Sequence, residues 1–248
     1  MARTDPSLPV TRNRLLMALP PDGLARLWPL LQPVDLPFRL TLHEPNAPVS
    51  NVFFPETGWV SLVATLEDGD GAEVGLVGYE GMVGLPVLLG DDRDDLESMV
   101  QNPGTALSLD ADAFREVFED DPALRRLLLR YALVHHGQVA RTAACNGRHH
   151  IEQRLARWLL MAHDRSGTDT SPMTHELLSM MLGVRRAGIT VAAGALQKAG
   201  LIQYERGTMT VTDRPGLENA VCECYGIVRR AYDRLLAPSD GAHIPYRR

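Results

Sequence analysis

Residues 174–212 read THELLSMMLGVRRAGITVAAGALQKAGLIQYERGTMTVT. Thr174 stands where a side chain can cap a helix, and Leu177, Leu178, Met181 and Leu182 recur at the spacing of one buried helical face. Gly183 falls where a tight interhelical turn has no room for a side chain, and Val184 gives that turn an apolar anchor. A second helix, Arg185 to Ala199, buries Ile189, Ala192, Ala193 and Leu196 and stops at Gly200. Leu201–Tyr204 and Met209–Thr212 then flank Glu205-Arg-Gly-Thr208 as a compact hairpin. Two short helices across a glycine-containing turn, followed by a hairpin, predict a winged helix-turn-helix.

In that geometry the second helix enters the DNA major groove by its N-terminal end, which here is Arg185, Arg186, Ala187, Gly188 and Thr190. Arginine can bond bidentately to guanine, and threonine can meet a base edge or a thymine methyl. Arg185 and Arg186 are expected to divide base reading and phosphate clamping between them, and the small Ala187 and Gly188 allow close approach. Thr174, Lys198 and Arg206 are the candidate phosphate contacts.

Upstream, a helical stretch begins near Asp121-Pro122. Its stripe of Leu124, Leu127, Leu128, Tyr131, Val134, Gln138, Thr142 and Cys145 is long and narrow enough to predict pairing with a second copy of the chain, with a break at Asn146-Gly147. Before it, Asn51–Phe54, Trp59–Leu66, Ala72–Val77 and Thr105–Leu109 are short β-type runs separated by turn residues, which predicts an antiparallel sandwich or barrel. Asp110 is placed to cap a helix over Ala111–Phe118, and two short leucine-rich helices fit between Asn13 and Leu31. The fold class is therefore α+β. A sensor barrel with its short N-terminal helices covers residues 1–120, a dimerisation helix 121–146, a winged helix-turn-helix 147–236 and a tail 237–248, each half burying its own core.

Composition restricts the function. Hydrophobic residues at 45% and charged residues at 23% describe an ordinary globular chain. The net charge of −6 is unevenly spread. Residues 1–145 hold 11 Arg against 21 acidic residues, whereas residues 146–236 hold 12 basic against 9 acidic, so only the second region suits a polyanion. No apolar run spans a bilayer and no secretory signal opens the chain, so a cytoplasmic protein without membrane contact is expected. Cys145, Cys222 and Cys224 lack a C-x-x-C spacing and read as reduced thiols packed in helices. Neither His135-His136 nor His149-His150 predicts a metal ligand set, and His175-Glu176 lacks the second histidine of a zinc protease helix. No metal, no cofactor and no catalysis are expected.

Two stretches, Thr174–Thr190 with the Ala199-Gly-Leu-Ile202 and wing that follow, and Gly81-Met-Val-Gly-Leu-Pro-Val-Leu-Leu-Gly90, resemble the Crp/Fnr family of bacterial transcription regulators, as does the order of elements across nearly the whole chain. The resemblance implies a cyclic-nucleotide-binding-like β-roll, a long dimerisation helix and a winged helix-turn-helix reading a two-fold symmetric operator in double-stranded DNA. It places the base-contacting positions on Arg186, Ala187 and Val191, with Arg185 at the helix entrance. RNA polymerase and an unidentified small-molecule effector are further partners it implies. The family's cyclic AMP residues are missing: the Gly-Glu position reads Gly84-Leu85, and the later loop, Leu96–Val100, places the Glu97 carboxylate beside Ser98 where the cyclic phosphate belongs. Arg93 is neutralised by its acidic neighbours, so a degenerate effector loop near Gly84, Leu85, Glu97 and Ser98 is implied and cyclic AMP binding is not expected. The alternative function is a small-molecule-binding or protein-interaction module that has lost DNA recognition.

Overall fold

The computed structural model describes residues 10–237; the sequence segments 1–9 and 238–248, including nearly all of the expected tail, lie outside the described residues. Helices α1 (Arg14–Met17) and α2 (Pro21–Leu27), followed by a 3-10 turn at Trp28–Leu30, open the chain. Asn13 caps α1 and also donates its side-chain amide to the carbonyls of Pro55 and Gly81, which fixes these helices to the barrel.

Seven strands follow: β1 (Gln32–Leu36), β2 (Thr41–His43), β3 (Asn51–Pro55), β4 (Trp59–Thr65), β5 (Gly71–Val77), β6 (Leu96–Asn102) and β7 (Gly104–Asp110). They make two antiparallel sheets, in orders β1-β7-β3 and β2-β6-β4-β5. Helix α3 (Leu85–Leu89) lies between β5 and β6. Leu36, Val60, Leu62, Val77, Val83, Val100 and Ala106 fill the space between the sheets. Expected strands appear where the alternation is apolar; β1 and β2, with Pro33, Asp35 and His43, carry too little of it to be seen in sequence.

Helix α4 (Ala111–Asp120) begins at Asp110, whose carboxylate accepts from the Asp112 and Ala113 amides. Asp121 repeats the device for α5 (Pro122–Arg148). At 27 residues, α5 is about 40 Å long. It runs through Asn146-Gly147, two residues past the expected break, and ends at His149.

The stripe on α5 does not do what the sequence suggested. Leu124, Leu127, Leu128, Tyr131, Gln138, Thr142 and Cys145 are buried within the single chain, and Val134 is half-buried against the same core. The polar members explain why: Tyr131 donates to the Met82 carbonyl at 2.8 Å and Gln138 to the Leu76 carbonyl at 2.9 Å. The seam holds α5 to its own barrel, so these eight residues are not a free dimer surface.

The remaining elements are α6 (Ile151–Ser166), β8 (Thr170–Pro172), α7 (His175–Leu182), α8 (Arg186–Lys198), β9 (Ile202–Glu205), β10 (Thr208–Val211), α9 (Arg214–Ala220) and α10 (Glu223–Leu236). The expectation of one core for each half is corrected. Trp59, Val63 and Leu76 of the barrel join one apolar cluster with α6, α7 and α8. Val228, Tyr232 and Leu235 of α10 return to the cluster formed by α1, α2 and α5. Two buried polar bridges cross the same boundary. The Trp158 indole donates to Glu73 at 2.7 Å, and Arg165 meets Glu80 at 2.6 Å. Cys145, near the end of α5, and Cys222 and Cys224, at the start of α10, are free buried thiols as expected, but they converge on one another and on His149.

Candidate nucleic-acid interface

Thr174 caps α7 by accepting the Leu177 amide at 3.1 Å. Gly183 ends that helix at φ 59°, a left-handed conformation that a side chain would strain, and the Val184 amide closes the turn on the Ser179 carbonyl at 3.0 Å. The two helices meet at 106°. Leu178, Met181 and Leu182 pack against Ile189, Ala192, Ala193 and Leu196, the residues whose spacing predicted the motif.

Arg185 is the N-cap residue of α8, and Arg186 begins the helix. With about 100° of turn per residue, Arg186, Thr190, Gly194, Ala187, Lys198 and Val191 fall on one half of the cylinder, opposite the buried face. Arg185, Arg186, Ala187, Thr190 and Lys198 are exposed, Val191 is 66% exposed, and Gly188 lies half-buried at the margin. Lys198 sits at the far end, about 18 Å along the axis from Arg186, so it cannot share a contact with the arginine pair.

The wing is one strand larger than expected, because β8 pairs with β10 on the side away from β9. Arg206 and Gly207 both have positive φ, 48° and 80°, as a two-residue turn of type I′ requires. The Met173 amide donates to the Gly207 carbonyl at 2.7 Å, which sets the wing tip with Arg206 beside Thr174. Gly207 of the wing tip is thus held beside Thr174, and the α8 N-terminus and Lys198 lie at opposite ends of α8.

The sequence offered His175 only as half of an incomplete zinc-protease pair, not as part of this face. Its ring stacks on Tyr204 of the wing, with centroids 4.3 Å apart, and its Nδ1 lies 3.1 Å from the Thr190 hydroxyl. Since Thr190 donates to the Arg186 carbonyl at 3.2 Å, the ring must donate to Thr190 through Nδ1–H, leaving Nε2 bare and buried. Burial, then the Arg186 charge, lowers its pKa and favours that neutral form. The ring braces α7, α8 and the wing. It also takes up one lone pair of the Thr190 hydroxyl, whose proton goes to the Arg186 carbonyl, so Thr190 keeps one acceptor lone pair and its methyl on the outer side.

Arg185 and Arg186 line a cleft of about 830 Å³ whose opposite wall is the β4–β5 hairpin, including Leu66, Asp70 and Ala72. The N-terminal end of α8 therefore faces the chain's own barrel.

The residues expected to mark a degenerate effector loop are placed differently. Gly84 precedes α3 and Leu85 begins it, half-buried. Leu96–Val100 is not a loop but strand β6, inside a sheet between β2 and β4. Alternation turns Leu96, Ser98 and Val100 toward the barrel core and Glu97 outward, where its carboxylate accepts from Thr41 at 3.0 Å. Glu97 is thus not poised to repel a bound phosphate, which removes that reason for excluding cyclic AMP. Arg93 is engaged by Asp92 and by the Asn46 carbonyl.

Residues 39–121 match the family model of the cyclic nucleotide-binding domain, and residues 153–220 that of the Crp-like helix-turn-helix domain. Among solved structures, FixK2 from Bradyrhizobium japonicum is 15% identical, with a TM-score of 0.66 over 77% of this chain and 98% of its own. A transcriptional regulator of the Crp/Fnr family from Eubacterium rectale is 17% identical, with a TM-score of 0.66 over 83% of this chain and 96% of its own. A regulator of the same family from Thermus thermophilus is 20% identical, with a TM-score of 0.62 over 76% and 97%. At these identities the likeness establishes the fold. No curated protein is similar to the chain at the level of sequence.

Proposed function

We propose that this chain, which carries the two domains of the Crp/Fnr regulators in their order, is a sequence-specific DNA-binding transcription regulator that works as a homodimer on a pseudo-palindromic operator. The observation that carries the reading is the solvent-facing arc of α8, where Arg185, Arg186, Ala187 and Val191 stand clear of the buried face and beside a wing tipped by Arg206. An arginine pair supplies guanine readout and phosphate contact, and an exposed valine suits a thymine methyl. Catalysis has no part in this reading.

Dimerisation falls to the outer face of α5 rather than its inner seam. Leu133, Gly137, Ala140, Ala144 and Gly147 recur at alternating steps of four and three residues, the spacing of a coiled-coil seam, and Leu133 is 70% exposed. Small side chains there let two copies of α5 approach closely. Two-fold symmetry would then set half-sites about one DNA turn, near 10 base pairs, apart. The proposal that cyclic AMP is not the effector now rests on Leu85 at the start of α3 and on a barrel filled by its own apolar side chains.

Selection of bound duplexes from a random library, with no added ligand and then a salt titration on the winner, tests the reading. A two-fold sequence whose affinity falls steeply with salt is expected, and Arg185→Ala with Arg186→Ala should abolish its enrichment. Failure to enrich any sequence, with cell extract present as well as absent, would overturn it. Calorimetry with cyclic AMP should give no binding heat.

A further inference from the structure

We propose that Cys145, His149, Cys222 and Cys224 hold a single zinc ion that clamps the end of α5 to the start of α10. The three sulfurs and one imidazole nitrogen all lie within 4.8 Å of one another. Cys145 Sγ is 3.6 Å from Cys222 Sγ, and Cys224 Sγ is 3.8 Å from His149 Nδ1. A tetrahedron with Zn–S near 2.3 Å and Zn–N near 2.0–2.1 Å has edges of about 3.8 Å between sulfurs and about 3.5 Å between sulfur and nitrogen. The Cys145–Cys222 and Cys224–His149 separations are within about 0.3 Å of those edges and the remaining ones stay inside 4.8 Å, whereas a disulfide needs about 2.05 Å between sulfurs. Three thiolates and one imidazole are the soft donor set that selects zinc over the oxygen-seeking divalent ions, and four of them close the coordination sphere, as structural sites do. Four donors this close surround one ion; they are not spread over two metals as in an iron–sulfur cluster.

Two neighbours fit the assignment. Glu223 Oε2 lies 3.5 Å from His149 Nε2, the ring nitrogen turned away from the proposed ion, which is the place of the outer carboxylate in zinc–histidine sites. Arg157 is buried, and among the described residues its Nε has no partner and its guanidinium hydrogen bonds go only to the Thr142 hydroxyl and the Met161 sulfur. Burial raises the pKa of the Cys145 thiol, and the Arg157 charge opposes that rise. Three thiolates with one divalent cation carry a net negative charge, which supplies the anion this buried arginine otherwise lacks.

The ligands come from the end of α5, from the link between α5 and α6, and from the start of α10, so the ion would tie the segment that follows the wing back onto the end of the long helix. The proposal does not depend on DNA binding and is read from the metal alone. Full-length protein, purified under reducing conditions without chelator, should contain about one zinc per chain. Exchange for cobalt(II) should give the thiolate-to-metal charge transfer and the intense visible bands of a tetrahedral site. Cys222→Ser with Cys224→Ser should lose both signals. His149→Cys should keep the cobalt and strengthen the charge transfer, an outcome that does not require the serine variant to fold. Glu223→Gln should weaken cobalt binding by roughly tenfold while leaving the spectrum tetrahedral. A protein that carries no stoichiometric metal and gives no cobalt spectrum, or one whose mass shows a Cys145–Cys222 disulfide in place of metal, overturns the proposal. So does a double serine variant that retains the ion.

Discussion

The Glu73 carboxyl shows how much one side chain contributes where two parts of the chain meet. It sits on β5, takes the Trp158 indole N–H on one oxygen and the Ser61 hydroxyl on the other, and is wholly enclosed. Burial drives its pKa up to about 8, against the opposing pull of those two hydrogen bonds and of the Arg157 and Arg165 charges. The folded protein therefore keeps a proton that the unfolded chain releases near its ordinary pKa of 4.5. Across that window stability must fall as pH rises, by at most about 1.4 kcal/mol per unit, and the effect ends above pH 8. His135 opposes it at the acid end. Burial lowers its pKa to about 4, so it costs stability as pH falls below 6.5. Urea titrations of the wild type and Glu73→Gln from pH 5 to 8.5 isolate the carboxyl: the variant should lose the decline between pH 6.5 and 8, and an unchanged slope would mean that Glu73 is ionised throughout. None of this was visible in the sequence, because Glu73 and Trp158 are 85 positions apart. Thr174 and Asp110, whose partners are two or three residues away, were legible at once.

At the scale of the element, α5 carries two seams, and the one that the sequence marked for pairing is buried within the chain itself. Large apolar residues draw the eye, yet Leu124, Leu128 and Tyr131 serve the chain's own core, while the outer seam of glycine and alanine reads as mere helix filler. Periodicity reports that a face is buried; it cannot say what covers it. The helix-turn-helix escaped this ambiguity because its partner face, the Gly183 turn and the wing all lie within 40 residues of one another. The two seams respond differently to substitution. Leu128→Ala empties a fully buried site and should cost about 2–5 kcal/mol of stability in urea, whatever the protein concentration. Leu133→Glu should leave the unfolding of each chain nearly unchanged but place two carboxylates at the seam, so that sedimentation shows a monomer where the wild type is a dimer. A Leu133→Glu protein that still sediments as the wild type does would assign dimerisation to another surface.

The whole molecule is locked more tightly than a barrel and a DNA-reading domain joined by a helix need be. Trp59, Val63 and Leu76 are buried against α6, α7 and α8, the Glu73 and Glu80 bridges are internal, and Arg185 and Arg186 look across a cleft at the β4–β5 hairpin. Under the proposed function, a duplex seated on Arg185 and Arg186 would meet the β4–β5 hairpin across that cleft, so binding requires the hairpin and the N-terminal end of α8 to part. The apparent affinity then equals the intrinsic affinity multiplied by the fraction of molecules already undocked. A change that weakens docking without touching α8 should consequently tighten DNA binding. Ala72 offers the site. Its Cβ lies 3.3 Å from where a side chain at Gly183 would begin, which puts β5 in close contact with the helix-turn-helix turn. Ala72→Phe adds bulk and no charge at that contact. It should raise affinity for the selected operator by several-fold in fluorescence anisotropy and enlarge the radius of gyration in solution scattering, with the salt slope unchanged because no phosphate contact is altered. An enlarged protein that binds DNA no better would show that the docked arrangement already presents Arg185 and Arg186 to the groove, and that the cleft plays no part in holding the regulator off its operator.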